Sequence, residues 1–317
     1  MTQSVGETGI PVPEGGTFQG RRPPSERRSY EEAPDARLEE RWSAVSRCDR
    51  TAEVTEVSWL TTTGTLRLGF EVTDGRPFSY EPGNFVRLET KLEGRELEGR
   101  ELEGKGFRRG TYCIASTPSP YHRFDLLVRL VDGPMSRHLA SLRLGDGIAF
   151  RGPTGRSMVR AAGDGHDDLV LVATGVGIAP LLSLATTLLK GGWRRRIDLY
   201  WGLRRPEDVC LTEQLDRLAA RYGNFRYQIS LSQPPEAGWS GLTGRVTESV
   251  PPLLDDLEPA RFVLTVNGAM TEELASALAE VGVSRERIYE EPYFNGRYVA
   301  DRDVVAAIAA RFPGRPA

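Results

Sequence analysis

The chain has 317 residues, enough for two domains with full cores, and its 39% hydrophobic and 27% charged content is typical of a soluble protein. The net charge of −3 does not favour a nucleic-acid partner, and without an apolar run of about 18 residues no membrane insertion is expected. The cysteines Cys48, Cys113 and Cys210 lie far apart and form no Cys-x-x-Cys pair, so no metal site is expected. Because the N-terminus also lacks a signal-peptide core, we expect a cytoplasmic protein. A monomer is the default expectation.

Residues 1–42 are rich in Gly, Pro, Glu and Arg and contain few apolar side chains. Such a segment buries too little apolar surface to offset the entropy of ordering it, so we predict a disordered N-terminal tail. A C-terminal extension is expected at 295–317, where the amphipathic run from Val304 to Phe312 predicts a packing helix.

Residues 43–160 carry short alternating apolar runs broken by turn residues, which predict an antiparallel β-barrel. The predicted strands cover 53–60, 64–72, 85–89, 111–116, 124–131 and 148–151. A helix is expected to follow Asp132-Gly133 and to run through Ala140, with an N-terminus that suits a phosphate. The sequence Leu-Glu-Gly-Arg-Glu occurs at 92–96, again at 97–101 and nearly again at 102–106, which predicts a duplicated surface loop without a function of its own.

A buried parallel strand is predicted at 169–173, where five apolar residues precede a glycine-rich turn at 174–177. Apolar residues at helical spacing follow up to Leu189, and Pro180 occupies a first-turn position, where its missing N–H has no partner to lose. A strand, a glycine turn and a helix in this order point backbone N–H groups and the positive helix end at a phosphate.

The rest of 161–294 alternates strands with helices, which predicts an α/β domain with a parallel sheet covered on both faces. Strands are expected at 197–202, 225–230, 261–266 and 288–290. Helices are expected at 211–222, 246–254 and 271–280, the last capped by Thr271. The segment 232–244, which contains Trp239, is predicted as a polar loop.

A series of short motifs follows these elements along the chain: Pro82-Gly83-Asn84-Phe85-Val86, Tyr112-Cys113-Ile114-Ala115-Ser116, Gly133-Pro134-Met135-Ser136, Gly145-Asp146, Gly152-Pro153-Thr154-Gly155, Gly175-Val176-Gly177-Ile178-Ala179-Pro180, Asn267-Gly268-Ala269-Met270 and Glu291-Pro292-Tyr293. In this order they resemble the motifs of the ferredoxin–NADP reductase superfamily. The resemblance covers roughly residues 45–294. It implies an FAD-binding barrel domain at 43–160 and an NAD(P)-binding α/β domain at 161–294.

On the barrel side, the family motif Arg-x-Tyr-Ser implies that Tyr112 packs against the isoalloxazine ring. Gly110 stands at the arginine position, so Arg109 is the implied contact to a flavin phosphate, with Arg108 as the alternative. Cys113 stands where the family has a hydroxyl near flavin N5 and is a catalytic candidate. The resemblance implies further FAD contacts from Ile114, Ala115, Ser116, Gly133, Pro134, Met135 and Ser136.

On the nucleotide side, the resemblance implies that the glycine turn binds the pyrophosphate of the pyridine nucleotide and that a second motif lies near the nicotinamide. The implied pyrophosphate contacts are Thr174, Gly175 and Gly177. The implied residues near the nicotinamide are Asn267, Gly268 and Met270. Glu291 and Tyr293 are catalytic candidates, since an aromatic ring at this end covers the flavin until nicotinamide displaces it. Phe294 is the alternative for that ring.

The choice between NADPH and NADH depends on two opposing features. Arg204 and Arg205 follow the second strand of the α/β domain, where paired guanidinium groups suit a 2′-phosphate. The segment from Trp239 to Val246 resembles that of NADH-using oxygenase reductases. We therefore favour NADP(H) and keep NAD(H) as the alternative.

The resemblance implies a flavoprotein oxidoreductase that transfers hydride between NAD(P)H and FAD, and single electrons to or from a ferredoxin or flavodoxin. Because the sequence lacks cluster cysteines, the one-electron carrier is expected to be a separate protein. One alternative is an NADH-dependent reductase component of an oxygenase, or a free-flavin reductase. The other is a non-catalytic flavin-binding interaction subunit, which the departures at Gly110, Cys113 and Asn267 keep open.

Overall fold

A computed structural model describes residues 47–92, 106–131, 134–254 and 260–293. The predictions for the tail at 1–42, for the repeated segment at 93–105 and for the extension at 295–317 lie outside these ranges. Within them, no helix is long and apolar enough to cross a membrane.

The first half of the described chain forms a six-stranded antiparallel sheet in the order β4-β3-β6-β1-β2-β5. Its strands are β1 (Arg50–Trp59), β2 (Thr65–Val72), β3 (Phe85–Leu92), β4 (Gly106–Cys113), β5 (Arg123–Arg129) and β6 (Gly147–Thr154). In β1, Ala52 and Val54 are buried whereas Thr51 and Glu53 are exposed, because successive side chains of a strand point to opposite faces.

This sheet curls so that its two outermost strands meet. Just beyond β4, Ile114 forms a bridge with Leu126 of β5, and the Ala115 N–H donates to the Asp125 carbonyl oxygen at 2.8 Å. Buried aromatic rings fill the interior, among them Phe70 and Phe124, whose stacked ring centroids lie 5.1 Å apart. Helix α1 (Pro134–Ser141) packs Leu139 against this core.

The second half forms a six-stranded parallel sheet in the order β10-β9-β8-β7-β11-β12. Its strands are β7 (Asp168–Thr174), β8 (Ile197–Leu203), β9 (Phe225–Leu231), β10 (Leu242–Thr243), β11 (Ala260–Thr265) and β12 (Ile288–Glu290). Its helices are α2 (Ile178–Lys190), α3 (Thr212–Arg221), α4 (Val246–Ser249) and α5 (Gly268–Glu280). Alternate residues of β7 enter different cores, Leu171 on one face and Val172 on the other, which explains its uninterrupted apolar sequence.

The predicted fold class, an antiparallel barrel followed by a parallel α/β sheet, is confirmed. Three local predictions need correction. Helix α5 begins at Gly268, because the Asn267 side chain caps it by accepting a hydrogen bond from the Ala269 N–H at 3.3 Å, so Thr271 lies inside the first turn. The predicted helix at 246–254 divides in two: α4 ends at Ser249, because Pro251 has no N–H to continue the ladder, and a 3₁₀ turn follows at Pro251–Leu253.

The third correction concerns the predicted polar loop at 232–244. It contains the short strand β10, which adds to the edge of β9. The half-buried Trp239 donates from Nε1 to the Leu242 carbonyl oxygen at 2.9 Å and packs its ring on the core beneath α2. Because the residues around Trp239 are polar, nothing in the sequence indicated this packing.

Candidate active site

The strand order of the parallel sheet reverses between β7 and β11. Strand β8 lies on one side of β7, and β11 lies on the other. In an open parallel sheet, the carboxyl ends of the two strands at such a reversal border a crevice that binds ligands. Here β7 ends at Thr174 and β11 at Thr265, so the crevice adjoins the predicted glycine turn.

Residues Gly175–Gly177 form one turn of 3₁₀ helix that runs directly into α2. Gly175 has a φ of 50°, a conformation that favours glycine. Gly177 is required for space instead, because a Cβ atom there would collide with the Thr265 carbonyl oxygen and lie 2.8 Å from Cε1 of Tyr293. The first N–H groups of a helix have no acceptor within the helix, so this turn offers donors at the positive end of α2.

Two buried side chains that the sequence analysis missed hold this turn in place. Trp201 Nε1 donates to the Gly175 carbonyl oxygen at 2.8 Å, and Thr265 Oγ1 donates to the Gly177 carbonyl oxygen at 2.7 Å. Both side chains are buried near the carboxyl ends of their strands, Trp201 two residues before the end of β8 and Thr265 as the last residue of β11. A polar atom in such a place requires a hydrogen-bond partner, which is the signal that was available.

Tyr293 lies against the glycine turn. The segment after β12 runs beside the end of β11, where the Tyr293 N–H donates to the Val266 carbonyl oxygen at 3.3 Å. The Tyr293 hydroxyl donates to the Thr174 carbonyl oxygen at 2.7 Å and lies 2.8 Å from Thr174 Oγ1. The nearby Glu291 carboxylate accepts a hydrogen bond from the Tyr289 hydroxyl at 3.2 Å. The role of Tyr293 as a cover for the flavin stays a prediction.

Asn267 joins Thr174 and Tyr293 at the same point. Its backbone N–H donates to Thr174 Oγ1 at 3.2 Å, and the next N–H, of Gly268, donates to the Tyr293 carbonyl oxygen at 3.0 Å. Because the Asn267 side chain caps α5, one of the two lone pairs on its Oδ1 atom already accepts a hydrogen bond. Met270 of the same motif packs against the core beneath α5 instead.

On the barrel, Tyr112 lies near the end of β4. Strand alternation puts Arg108 and Gly110 on the same face as Tyr112, and Arg109 and Cys113 on the opposite face. A Cβ atom on Gly110 would lie 2.5 Å from Tyr112 Oη and 2.8 Å from Cζ, so the ring lies along the strand above Gly110. Burial raises the pKa of the Tyr112 hydroxyl, which keeps it neutral. An arginine at 110 would displace this ring.

Arg109 is engaged by a buried acid. Its Nε lies 2.6 Å from Glu89 Oε2 across the β3–β4 ladder, and the two side chains are 10% and 1% exposed. Glu89 also accepts a hydrogen bond from the Arg47 N–H at 3.2 Å. This pairing gives Arg109 a structural role in the barrel. On geometry, Arg108 is the better candidate for the flavin phosphate, because it shares the face of Tyr112.

The residues that follow Cys113 close the barrel. Ile114 is buried in the barrel core, its N–H donates to the Asn84 carbonyl oxygen at 3.0 Å, and the Ala115 N–H is used as described above. Ser116 Oγ accepts from the Asp125 N–H at 2.8 Å and lies 2.8 Å from the Tyr80 hydroxyl. These groups therefore form hydrogen bonds within the barrel. Their predicted flavin contacts stay predictions.

The same segment meets the parallel sheet. Ser183 Oγ, fully buried on α2, donates to the Ser116 carbonyl oxygen at 2.6 Å. Ala115 and Leu127 of the barrel belong to the same apolar cluster as Leu181 of α2. The strand that carries Tyr112 thus ends against the helix that starts at the glycine turn. Ser183 was missed in the sequence analysis, although a serine between Leu182 and Leu184 in the apolar first half of the helix was a signal.

The predicted phosphate-binding motif at the start of α1 is described only in part, since Gly133 lies outside the described residues. Pro134 begins the helix, and Met135 packs against the barrel core. Ser136 Oγ accepts a hydrogen bond from the Val131 N–H at 3.0 Å, which fixes the entry of the chain into α1. Its hydroxyl proton remains available for a second partner.

Arg204 and Arg205 follow β8 at the carboxyl edge of the sheet, the edge that carries the glycine turn. Their Nε atoms both donate to Gln233 Oε1, at 3.2 Å and 3.0 Å. Both side chains are exposed. Gln233, which the sequence analysis did not single out, therefore holds two guanidinium groups together on the surface.

These donors fit a dinucleotide and, in part, a flavin. Helix-end N–H groups at Gly175–Gly177 and the paired guanidinium groups suit phosphates, and the Tyr112 ring suits a flat aromatic partner. The expected arginine position is the exception, because the Tyr112 ring lies over Gly110. Within the described ranges, no cluster of His, Cys, Asp and Glu is arranged to hold a metal ion.

Comparison with known proteins agrees with both halves of this site. Residues 52–158 match the oxidoreductase FAD-binding domain, and residues 171–275 match the oxidoreductase NAD-binding domain. The chain is 33% identical over 234 residues to ferredoxin–NADP reductase B of Sorangium cellulosum, covering 71% of this chain and 90% of the relative. It is 28% identical over 230 residues to the reductase component DmpP of phenol 2-monooxygenase from a Pseudomonas species, covering 70% of this chain and 61% of that relative.

Solved structures share the fold. The cytochrome P450 reductase GcoB of Amycolatopsis aligns with a TM-score of 0.64 at 25% identity, over 78% of this chain and 70% of that one. A ferredoxin–NADP⁺ reductase of Neisseria gonorrhoeae with bound FAD and NADP aligns with a TM-score of 0.60 at 24% identity, over 80% of this chain and 99% of that one.

The fold and the site define an FAD-dependent NAD(P)H oxidoreductase, with an FAD-binding barrel and an NAD(P)-binding parallel sheet. Bound FAD supplies the redox chemistry, since it exchanges hydride with a nicotinamide and electrons one at a time with other carriers. The chain belongs to the ferredoxin–NADP reductase superfamily, as its match over 90% of a curated reductase shows.

Proposed function

We propose that this chain oxidises NADPH through FAD and delivers single electrons to a separate ferredoxin or flavodoxin. The observation that carries the proposal is the hydrogen bond from Ser183 to the Ser116 carbonyl oxygen. It holds the end of the Tyr112 strand against the helix that follows the glycine turn. A flavin on the barrel and a nicotinamide at the crevice then meet in one place, as hydride transfer requires.

The proposal assigns each half of the site a task. Tyr112 supports the flavin ring, and the N–H groups at Gly175–Gly177 bind the nucleotide pyrophosphate. Asn267 and Tyr293 border the nicotinamide, and the pair Arg204–Arg205 binds the 2′-phosphate that distinguishes NADPH from NADH. Gln233 supports the last assignment, because it holds both guanidinium groups ready for one anion.

The choice of ferredoxin or flavodoxin is supported by the Sorangium relative, whose name describes a ferredoxin–NADP reductase. The similarity to DmpP and to GcoB supports a second candidate, a reductase that serves an oxygenase. The two candidates differ in the carrier that accepts electrons, not in the first step.

An anaerobic titration followed by an acceptor panel tests the proposal. The purified protein should be yellow and should bleach at much lower concentrations of NADPH than of NADH. The reduced protein should then reduce a ferredoxin or flavodoxin faster than an oxygenase component. A colourless protein that takes up no FAD, or a yellow one that neither nucleotide bleaches, would contradict the proposal. Reduction of the oxygenase component alone would favour the second candidate.

A further inference from the structure

The loop that follows β8 contacts the barrel through Asp208. Its Oδ1 accepts hydrogen bonds from Thr63 Oγ1 at 2.7 Å and from Arg129 Nη1 at 3.0 Å. Thr63 lies in the turn between β1 and β2, and Arg129 is the last residue of β5. One carboxylate of the parallel-sheet half is thus bound to two separate elements of the barrel.

The other carboxylate oxygen holds the loop itself. Asp208 Oδ2 accepts from the Arg205 N–H at 3.3 Å, and the Asp208 N–H donates to the Arg205 carbonyl oxygen at 3.0 Å. These two bonds fix the turn that begins with the arginine pair. The Asp208 side chain is only 12% exposed, so water screens its contact with Arg129 less than it screens a surface ion pair.

Asp208 lies at a different part of the seam from Ser183. The Ser183–Ser116 hydrogen bond and the apolar contacts of Ala115 and Leu127 hold one part of the seam, whereas Asp208 holds the β1–β2 turn and the end of β5. Arg67 adds a neighbouring tie, since its Nη2 donates to Gln214 Oε1 on α3 at 2.7 Å. The orientation of the barrel against the parallel sheet therefore depends on the contacts made by the loop after β8.

We propose that Asp208 is a positioning residue for hydride transfer. By bonding Thr63 and Arg129 while it closes the Arg205 turn, it fixes the angle at which the nucleotide meets the barrel. It touches neither cofactor in this role. The inference rests on the proposed function, because it assumes that the flavin and the nicotinamide meet across this seam.

The main test variant weakens the barrel side of the contact and leaves the Arg205 turn intact: Thr63→Val, Arg129→Gln removes the hydroxyl and the guanidinium that bond Asp208 Oδ1. Asp208→Asn removes the charge together with one of the two carboxylate acceptors. Arg123→Gln is the matched control, because Arg123 lies on the same strand and pairs with exposed Glu71 at 2.7 Å within the barrel. Arg129→Lys keeps the charge and should recover part of any loss.

Two measurements on the full-length holoprotein are compared. The rate of flavin reduction at saturating NADPH should fall about tenfold in the double variant, because small misplacements of reacting groups are costly, while NADP⁺ affinity changes less than about twofold. Amide exchange without nucleotide should quicken at 63–65 and at 207–208 in the double variant. The control should match the wild type in both measurements.

Quickened exchange with an unchanged reduction rate would overturn the positioning role, and unchanged exchange would show that Asp208 does not hold the seam. If Asp208→Asn fails to fold, the double variant still decides the outcome. A wild-type protein that NADPH does not reduce would instead contradict the proposed function. The exchange experiment still reports on the seam contact in that case, so the two failures are distinguishable.

Discussion

The Tyr293 hydroxyl donates to the Thr174 carbonyl oxygen at 2.7 Å, although the two residues are 119 positions apart in the chain. Thr174 ends β7 just before the glycine turn, and Tyr293 ends the described part of the chain. The hydrogen bond therefore ties the last segment to the first strand of the parallel sheet. The conformation of the glycine turn and the position of the tyrosine ring depend on each other.

Replacing Tyr293 by phenylalanine keeps the ring and removes this hydrogen bond. We expect unfolding to become easier by about 1 kcal/mol, the usual net value of one hydrogen bond, and amide exchange at 175–177 to quicken. Thermal unfolding and hydrogen exchange measure the two effects. Tyr121→Phe is the control, because that side chain is 73% exposed. Equal behaviour of the two variants would show that the Thr174 contact contributes nothing.

Gly177→Ala tests the tight approach of the turn to β11. The added methyl group would collide with the Thr265 carbonyl oxygen, so we expect a loss of about 1–3 kcal/mol in unfolding free energy and weaker NADP⁺ binding. Urea unfolding and a binding titration provide both values. Gly223→Ala is the matched control, since a Cβ there meets nothing within 4 Å. Normal stability and affinity in Gly177→Ala would refute the packing requirement.

The paired arginines after β8 predict a preference for NADPH. In the double variant Arg204→Gln, Arg205→Gln, KM for NADPH should rise about 10- to 100-fold, which corresponds to about 1.4–2.7 kcal/mol in total, because the exposed pair loses its charge-assisted hydrogen bonds to the phosphate. KM for NADH should stay constant, and Gln233→Ala should give a smaller rise for NADPH alone. Arg217→Gln, on exposed helix α3, is the control. Parallel changes for both nucleotides would rule out recognition of the 2′-phosphate.

Arg109→Ala separates a structural role from a flavin contact. Removing this guanidinium leaves the buried Glu89 carboxylate without its close cationic partner, so we expect a loss of about 3–5 kcal/mol in unfolding free energy. The control Arg123→Ala breaks a pair that is 60% and 42% exposed and should cost less than about 1 kcal/mol. Denaturant unfolding of the FAD-free protein measures both. A stable Arg109→Ala protein with weakened FAD binding would restore Arg109 to the flavin site.

Two thiols, of the buried Cys210 and the half-buried Cys48, predict a loss of stability at alkaline pH. Burial raises the pKa of Cys210 and of Cys48 from 9.0 to about 11. Between these values the unfolded chain ionises its thiols and the folded chain does not, so folding stability falls as pH rises from about 9 to 11. Unfolding free energies at about pH 8 and pH 10.5 measure this fall.

The double variant Cys48→Ala, Cys210→Ala should show a smaller pH dependence than the wild type. The remainder is expected from buried tyrosines such as Tyr80, whose pKa burial raises to about 12. Identical slopes in both proteins would mean that the thiols ionise normally in the fold.

The sequence by itself determined the strands, the main helices and the glycine turn. These features follow from neighbouring residues: the apolar run 169–173 makes a strand buried on both faces, and Gly175 permits a positive φ. The family motifs also lie in such local stretches. The local sequence therefore predicts Tyr112 and the glycine turn as parts of one site without any knowledge of their contacts.

Only the tertiary structure decided which partners these residues have. Pairing with β3 places Arg109 beside Glu89, and the same strand geometry puts Arg108, not Arg109, on the face of Tyr112. The bonds from Ser183 to Ser116 and from Thr63 to Asp208 join residues 67 and 145 positions apart. Each bond is a single polar contact between elements that hydrophobic burial brings together. Such a contact leaves no periodic pattern in the local sequence, so the sequence alone could not predict it.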